Sequence, residues 1–200
     1  MSQAKTKGGH FHAVRFYEDD MSLCRIVSGF IAEGIAAGQP ALVIATSAHN
    51  ECILDNLRAS GIDAAALQRD NDLVMLDARE MLNLFMDDGL PSPERFNDAA
   101  GAALLRIAAG RKVTIRAYGE MVDLLWKDGR SAASIKLEML WNKLAGSHEF
   151  SLLCGYAMGN FYKDVTIDDV CCHHTHIVSD SGETSVMALI PNPQSLVPSP

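Results

Sequence analysis

TIRAYGEMVDLLWKDGRSAASIKLEMLWNKL, residues Thr114 to Leu144, passes from a strand into two helices, and its reading decides the fold. The strand turns at Tyr118-Gly119 into a helix opened by Glu120, and a second helix follows at once. Met121, Leu124 and Leu125 recur at i, i+3, i+4, and Leu137, Leu140, Trp141 and Leu144 at i, i+3, i+4, i+7. That spacing gives each helix one buried face. Against it stand polar side chains: Arg116 inside an apolar strand, Glu120 at the strand's carboxyl end, and Glu138 and Asn142 beside the apolar stripe. Polar groups in such places need partners or a function.

The same alternation extends upstream. Phe11 to Tyr17 reads as a strand, and Glu18-Asp19-Asp20 opens a helix whose apolar positions Leu23, Ile26, Val27, Phe30 and Ile31 keep helical period until Gly34 and Gly38. Ala41 to Ala45 is a short continuous apolar run, as expected of a strand covered on both faces. Thr46-Ser47 then caps a helix through about Ala59. Leu73 to Leu76 is the next strand, followed by a helix from Ala78 to Met86 and, after Pro91 and Pro93, a longer one to Ala109. Lys112 to Tyr118 leads into the opening stretch. Downstream, Phe150 to Ala157 is a fifth strand, and Asp168 to Ile177 is expected to form a short last helix. Strands alternating with helices throughout predict an α/β domain of three layers, a mostly parallel central sheet with helices on both faces. One domain is expected over residues 10–190, with a disordered leader over 1–9 and a flexible, Pro- and Ser-rich tail over 191–200.

Two hundred residues that are 48% hydrophobic suffice for one core without staples. The net charge of −8 and the lack of any Lys/Arg cluster exclude nucleic acid and anionic membrane as expected partners, since phosphate binding needs a basic footprint. No apolar run has the length of a signal peptide or membrane span. Five scattered cysteines do not form a disulfide framework, so a reduced, cytoplasmic protein is expected.

In open sheets, ligands bind outside the carboxyl ends of the strands. Those ends carry Tyr17 and Glu18, Thr46 and Ser47, Asp77 and Arg79, Tyr118 and Glu120, then Tyr156 and Asn160. A nucleotide-hydrolysing sheet would place a glycine-rich loop ending in Lys-Ser/Thr after its first strand; FYEDDMS stands there instead, and its carboxylates repel phosphate. GxGxxG and GxSxG are also missing, which removes the support for dinucleotide binding and serine hydrolysis. Glu120 reads either as a ligand acceptor or base in a cleft, or as the cap of its own helix paired with Arg116; a buried ion pair is likewise the plain reading of Arg116 and Glu138. With no nucleophile in view, the chain is not expected to be an enzyme. Cys171-Cys172-His173-His174-Thr175-His176 offers thiols and imidazoles of the kind that hold zinc or another transition metal, with Cys172 and His176 at i, i+4 on the expected helix and His10 and His12 at the other end of the chain. Cys24 and Cys154 fall in apolar patterns and read as core.

Several segments together resemble one family. His12 to Asp20 reads H-x-V-x-F-Y-E-D-D, Arg116 to Met121 reads R-A-Y-G-E-M with L-L-W at Leu124 to Trp126, and Leu137 to Asn142 reads L-E-x-L-W-N. L-L-C-x-Y at Leu152 to Tyr156 and C-x-x-H-x-H at Cys171 to His176 complete a pattern that resembles the MEDS domain, the methanogen/methylotroph, DcmR-type sensory domain. The likeness spans about Gly9 to Val178. It implies a sensory, non-enzymatic domain related to the RecA/KaiC-like ATPase fold without its phosphate loop, of a kind attached to transcription regulators and sensor histidine kinases. It also implies small-molecule ligands, hydrocarbon derivatives among them. The matching positions are His12, Tyr17, Glu18, Asp19, Arg116, Glu120, Trp126, Glu138, Trp141, Tyr156, His173 and His176. With no DNA-binding or kinase module in the sequence, output is expected to run through a partner regulator, a kinase or a homo-oligomer.

The resulting expectation is a ligand pocket at the strand ends formed by Tyr17, Glu18, Arg116, Glu120, Glu138 and Tyr156 and walled by Met121 and Trp126. The alternative is a metal- or thiol-based redox sensor built on Cys171, Cys172, His173 and His176.

Overall fold

The computed structural model describes residues 11–160 and 167–187; the expected leader, the expected tail and His10 lie outside them. Strand β1 (His12–Tyr17) is followed by helix α1 (Asp20–Ala36). The helix starts where it does because the Asp19 carboxylate accepts the Ser22 N–H at 2.7 Å, filling one of the open donors of the first turn. Strand β2 (Ala41–Ala45) is buried along its whole length, as its continuous apolar run requires. Helix α2 (Ser47–Ala59) is capped by Thr46, and a short helix α3 (Ala64–Arg69), not expected from the sequence, by Asp63. Strand β3 (Leu73–Asp77) ends on the residue that caps helix α4 (Ala78–Phe85): Asp77 accepts from Arg79 N and Glu80 N at 2.9 and 3.0 Å.

A small hairpin, β4 (Met86–Asp87) with β5 (Leu90–Pro91), turns on Asp88 and Gly89, both at positive φ. The single helix expected from Pro93 to Ala109 is realised as α5 (Pro93–Phe96), a π-helical segment (Asn97–Gly101) and α6 (Ala102–Ala108). Strand β6 (Ile115–Gly119) then leads into α7 (Met121–Lys127) and α8 (Ser131–Leu144), with strand β7 (Phe150–Ala157) behind them.

One expected element is corrected. The last helix, α9 (Ile167–Cys171), stops at Cys171, and His176 opens a strand, β8 (His176–Val178), which pairs with β9 (Thr184–Val186). The reason is the free edge of β1. Ala13 and Val14 pair in parallel with His176 and Ile177, covering backbone groups that a buried strand would otherwise leave unpaired. Thr175 fixes the junction by donating its N–H to His12 O at 2.7 Å.

The sheet order is β3-β2-β6-β7-β1-β8-β9, with β9 alone antiparallel to its neighbour. Helices α1 to α3 cover one face, packing on Ala13, Val43, Tyr118 and Leu153. Helices α4 to α8 cover the other, packing on Val14, Ile44, Ala117 and Leu152. This is the three-layer α/β fold read from the sequence. Trp141 anchors the second layer, its ring set edge-on to Phe96 and Phe150 at 5.0 and 5.8 Å. Truncating so buried an indole to Ala would cost about 3–5 kcal/mol.

Candidate functional site

Four neighbouring parallel strands, β2, β6, β7 and β1, end on the same side of the sheet and bring a polar network together there. Glu120 follows β6 directly and is 1% exposed. Its side chain does not cap α7. It accepts instead from the Thr46 N–H, from the Tyr118 hydroxyl at 3.2 Å and from His49 Nδ1 at 2.5 Å. His49 also faces Asp20 through Nε2, 3.3 Å from Oδ1. Thus the loops after β1, β2 and β6 are joined through one imidazole.

The hydrogen bond to Glu120 raises the His49 pKa, against the opposing effect of burial. Burial pushes the Glu120 carboxyl up, but the bond and charge of His49 together with the Thr46 donor more than offset it, and the carboxyl sits below its ordinary value. Both groups therefore favour their charged forms.

Beside this pair lies a second buried acid. Asp123 accepts from the Tyr17 hydroxyl at 2.8 Å and the Ala157 N–H at 3.0 Å, and pairs with Lys127 at 2.8 Å. Tyr17 is turned edge-on to the His49 ring, centroids 6.4 Å apart. Burial, then the Asp123 charge, push the Tyr17 phenol far above its ordinary pKa, so it donates and does not ionise. Glu18, exposed next to Tyr17 in the chain, lines a cleft of about 490 Å³ with Arg15, Asp19, Arg25 and Asp180; Tyr17, His49 and Glu120 are not among the residues lining it.

The opposite face of the sheet holds another cluster. His12 on β1 and Cys154 on β7 point to the same side, toward Glu138 of α8 and His174 behind α9, and all four side chains are buried. Cys154 Sγ lies 3.4 Å from His12 Nε2, and Glu138 lies 3.3 Å from His12 Nε2 and 3.4 Å from His174 Nε2. The Tyr156 hydroxyl donates to Glu138 at 2.8 Å. Burial alone would raise the Glu138 carboxyl; the imidazole charge of His174 and His12 beside it holds it well below the carboxylate range. One donor atom from each of the four residues lies within 4.8 Å of the others, so these residues could hold a metal ion.

The expected ligand residues are thus divided among separate places. Tyr17 and Glu120 meet at the strand ends, whereas Glu138 and Tyr156 lie below the other face of the sheet. Met121 is fully buried, and Trp126 is packed edge-on to Tyr156 at 5.6 Å. Arg116 stands near the amino end of its strand, in register with Ala41 at the start of β2. It pairs with neither Glu120 nor Glu138: its Nε donates to Gln39 at 2.7 Å and its guanidinium covers Phe30 at 4.7 Å. Its cleft, also about 490 Å³, lies between α1 and the β8–β9 hairpin.

Cys171, Cys172, His173 and His176 are not assembled as a helical face would place them. Cys171 ends α9, Cys172 is exposed with Sγ donating to Asp169 O, and His176 stacks on Phe11 at 4.7 Å from within β8. From that segment it is His174 that enters the cluster with His12, and Cys154, read as core, joins them. His49, Asp123 and Lys127 escaped the sequence reading. Asp123 had a signal, an acid inside the apolar run Met121 to Trp126, and His49 had one in its place on the first turn after a strand end.

Residues 11–175 match the family model described as MEDS, MEthanogen/methylotroph, DcmR Sensory domain. No curated protein matches the chain.

Proposed function

The chain belongs to the MEDS family of sensory domains, and we propose that it senses a small molecule, hydrocarbon-derived in chemistry, at the carboxyl ends of its strands. The observation that carries this reading is the His49–Glu120 pair, a buried charged contact that ties the β2–α2 junction to the β6–α7 junction. A ligand entering beside Glu18 and Tyr17 would meet Asp20, His49 and Glu120 as its polar contacts. Because α7 begins immediately after Glu120, a change at the pair is passed to α7 and to α8 packed upon it. The ligand would act by shifting the balance between two placements of that helix pair, which requires it to bind one placement better than the other.

The output partner in this reading is a transcription regulator or histidine kinase of the cytoplasm, or a second copy of the chain. Direct nucleic-acid contact is not part of it, in keeping with the net charge of −8. No helix among the described residues is long and apolar enough to cross a membrane.

The chain has two tryptophans, so Trp141→Phe leaves Trp126 as the single reporter on α7. Titration of that variant with short-chain alcohols, amines and halogenated hydrocarbons is expected to shift its emission for at least one class. Glu120→Gln in the same background should weaken the response on the order of tenfold, about 1.4 kcal/mol. A response that survives Glu120→Gln unchanged, or none to any probe, would overturn the assignment.

A further inference from the structure

Both imidazoles of the buried cluster use the same nitrogen outward. His174 Nδ1 lies 2.8 Å from Val170 O, and a carbonyl only accepts, so Nδ1 carries the hydrogen. The Asn142 amide is oriented by donating Nδ2 to His173 O at 2.9 Å, which turns Oδ1 toward His12 Nδ1, also at 2.9 Å. His12 therefore donates from Nδ1 as well. Each Nε2 is left facing Glu138, and His174 Nε2, fully buried, has no hydrogen-bond partner. An imidazole that gives Nδ1–H to a carbonyl or amide oxygen while aiming Nε2 inward is the arrangement found around metal ions.

The distances separate an ion site from a plain ion pair. A charge-assisted N–H···O contact closes to about 2.7–2.9 Å. At the strand ends His49 and Glu120 close to 2.5 Å. His12 Nε2 stops 3.3 Å from Glu138 Oε2 and His174 Nε2 stops 3.4 Å from the other oxygen, Oε1, while Cys154 Sγ stands 3.4 Å from His12 Nε2 and 3.6 Å from Glu138 Oε2. Neighbouring ligands on a tetrahedral ion with bonds of about 2.0–2.3 Å are separated by roughly 3.3–3.7 Å. The sulfur distances are ordinary for a thiol hydrogen bond, but the two long imidazole–carboxylate contacts, with one donor atom from each of the four residues within 4.8 Å of the others, suit a borderline divalent ion.

We propose that His12, Glu138, Cys154 and His174 form a closed four-ligand site for a divalent first-row metal ion of the zinc type. Four protein ligands with no exposure leave no open position for substrate, so the ion is structural or regulatory and not catalytic. It joins β1, β7, α8 and the segment after α9. Tyr156 and Asn142 orient Glu138 and His12 from outside the ligand set. The site is independent of ligand sensing at the strand ends.

The test uses the full chain, freed of metal with a chelator and reloaded with zinc(II) or cobalt(II). One ion per chain is expected, and the cobalt form should show thiolate-to-cobalt absorption with the strong visible bands of a four-coordinate site. Cys154→Ser should abolish the thiolate band, His174→Ala should weaken zinc at least ~10-fold, and Cys172→Ser should change neither. Zinc-edge X-ray absorption of the unmutated protein should count one sulfur and three nitrogen or oxygen neighbours, a result that does not depend on the variants folding. Failure to bind zinc, a sulfur count of none or two, or a band lost in Cys172→Ser and kept in Cys154→Ser would overturn the proposal.

Discussion

His49 Nδ1 lies 2.5 Å from Glu120 Oε2, and through this contact the loops that follow β2 and β6 hold one another. His49 faces Glu120, Asp20 and the Tyr17 ring, and Glu120 faces Tyr118 and the Thr46 amide as well.

The pair makes stability depend on pH in a stated direction. His49 has a raised pKa, so its contribution is complete below the ordinary imidazole value of 6.5 and is lost as pH rises through the higher folded value. Glu120 has a lowered pKa, so its contribution is present above the ordinary carboxylate value of 4.5 and is lost as pH falls through the lower folded value. The pair is fully formed between the two. Glu120→Gln should cost about 2–4 kcal/mol at a pH inside that window, and less at a pH above the raised His49 value, where the imidazole has lost its proton. Urea unfolding of both proteins at the two pH values checks this; an equal loss at both would refute it.

Tyr17→Phe and Asp123→Asn should differ in severity. The first removes one donor from a carboxylate that keeps Lys127 and the Ala157 N–H, costing about 1 kcal/mol. The second replaces the acceptor of three donors, beside a cation, and should cost about 3 kcal/mol. Denaturant midpoints at matched m-values report the difference.

Two glycines of α1 should respond in opposite senses to alanine. A Cβ on Gly34 would lie 2.1 Å from Arg116 Cγ, near the root of that side chain, so Arg116 must leave its place over Phe30. Gly34→Ala is expected to destabilise by about 1–3 kcal/mol. Gly29 is exposed with nothing within 4 Å of its added Cβ, and Gly29→Ala should stabilise by about 0.5–1 kcal/mol through helix propensity. Thermal melting of the two variants gives the signs directly.

Gly155→Ala should damage the strand-end site from a distance. Its Cβ would stand 2.9 Å from the Tyr118 hydroxyl and 3.2 Å from Leu23 Cδ1, displacing the phenol that donates to Glu120. A loss of about 1–3 kcal/mol is expected, together with changed chemical shifts of the His49 ring. Unmoved His49 resonances would show that the two positions are not linked.

Much of the architecture was written in local patterns. Ala41 to Ala45 could be read as a doubly covered strand because a parallel strand buries both of its faces, and the helix pair from Glu120 to Leu144 because its apolar stripe keeps a 3.6-residue period. The strand at His176 was hidden because three residues carry too little period to distinguish a strand from the end of a helix. It is fixed by the open edge of β1, a partner 163 residues away.

The sites divide in the same way. Sequence alone determined the alternating layers, the missing phosphate loop and the polar intruders Arg116, Glu120 and Glu138, since each follows from the order and type of neighbouring residues. Only the tertiary structure decided their partners. Strand order set β2 beside β6, so that Glu120 meets His49 and not Arg116. The alternation of side chains across β1 and β7 turned His12 and Cys154 toward Glu138, away from Glu120. A strand's two faces are opposed in space although their residues alternate in sequence, so which polar groups converge depends on register and crossover, which no local spacing records.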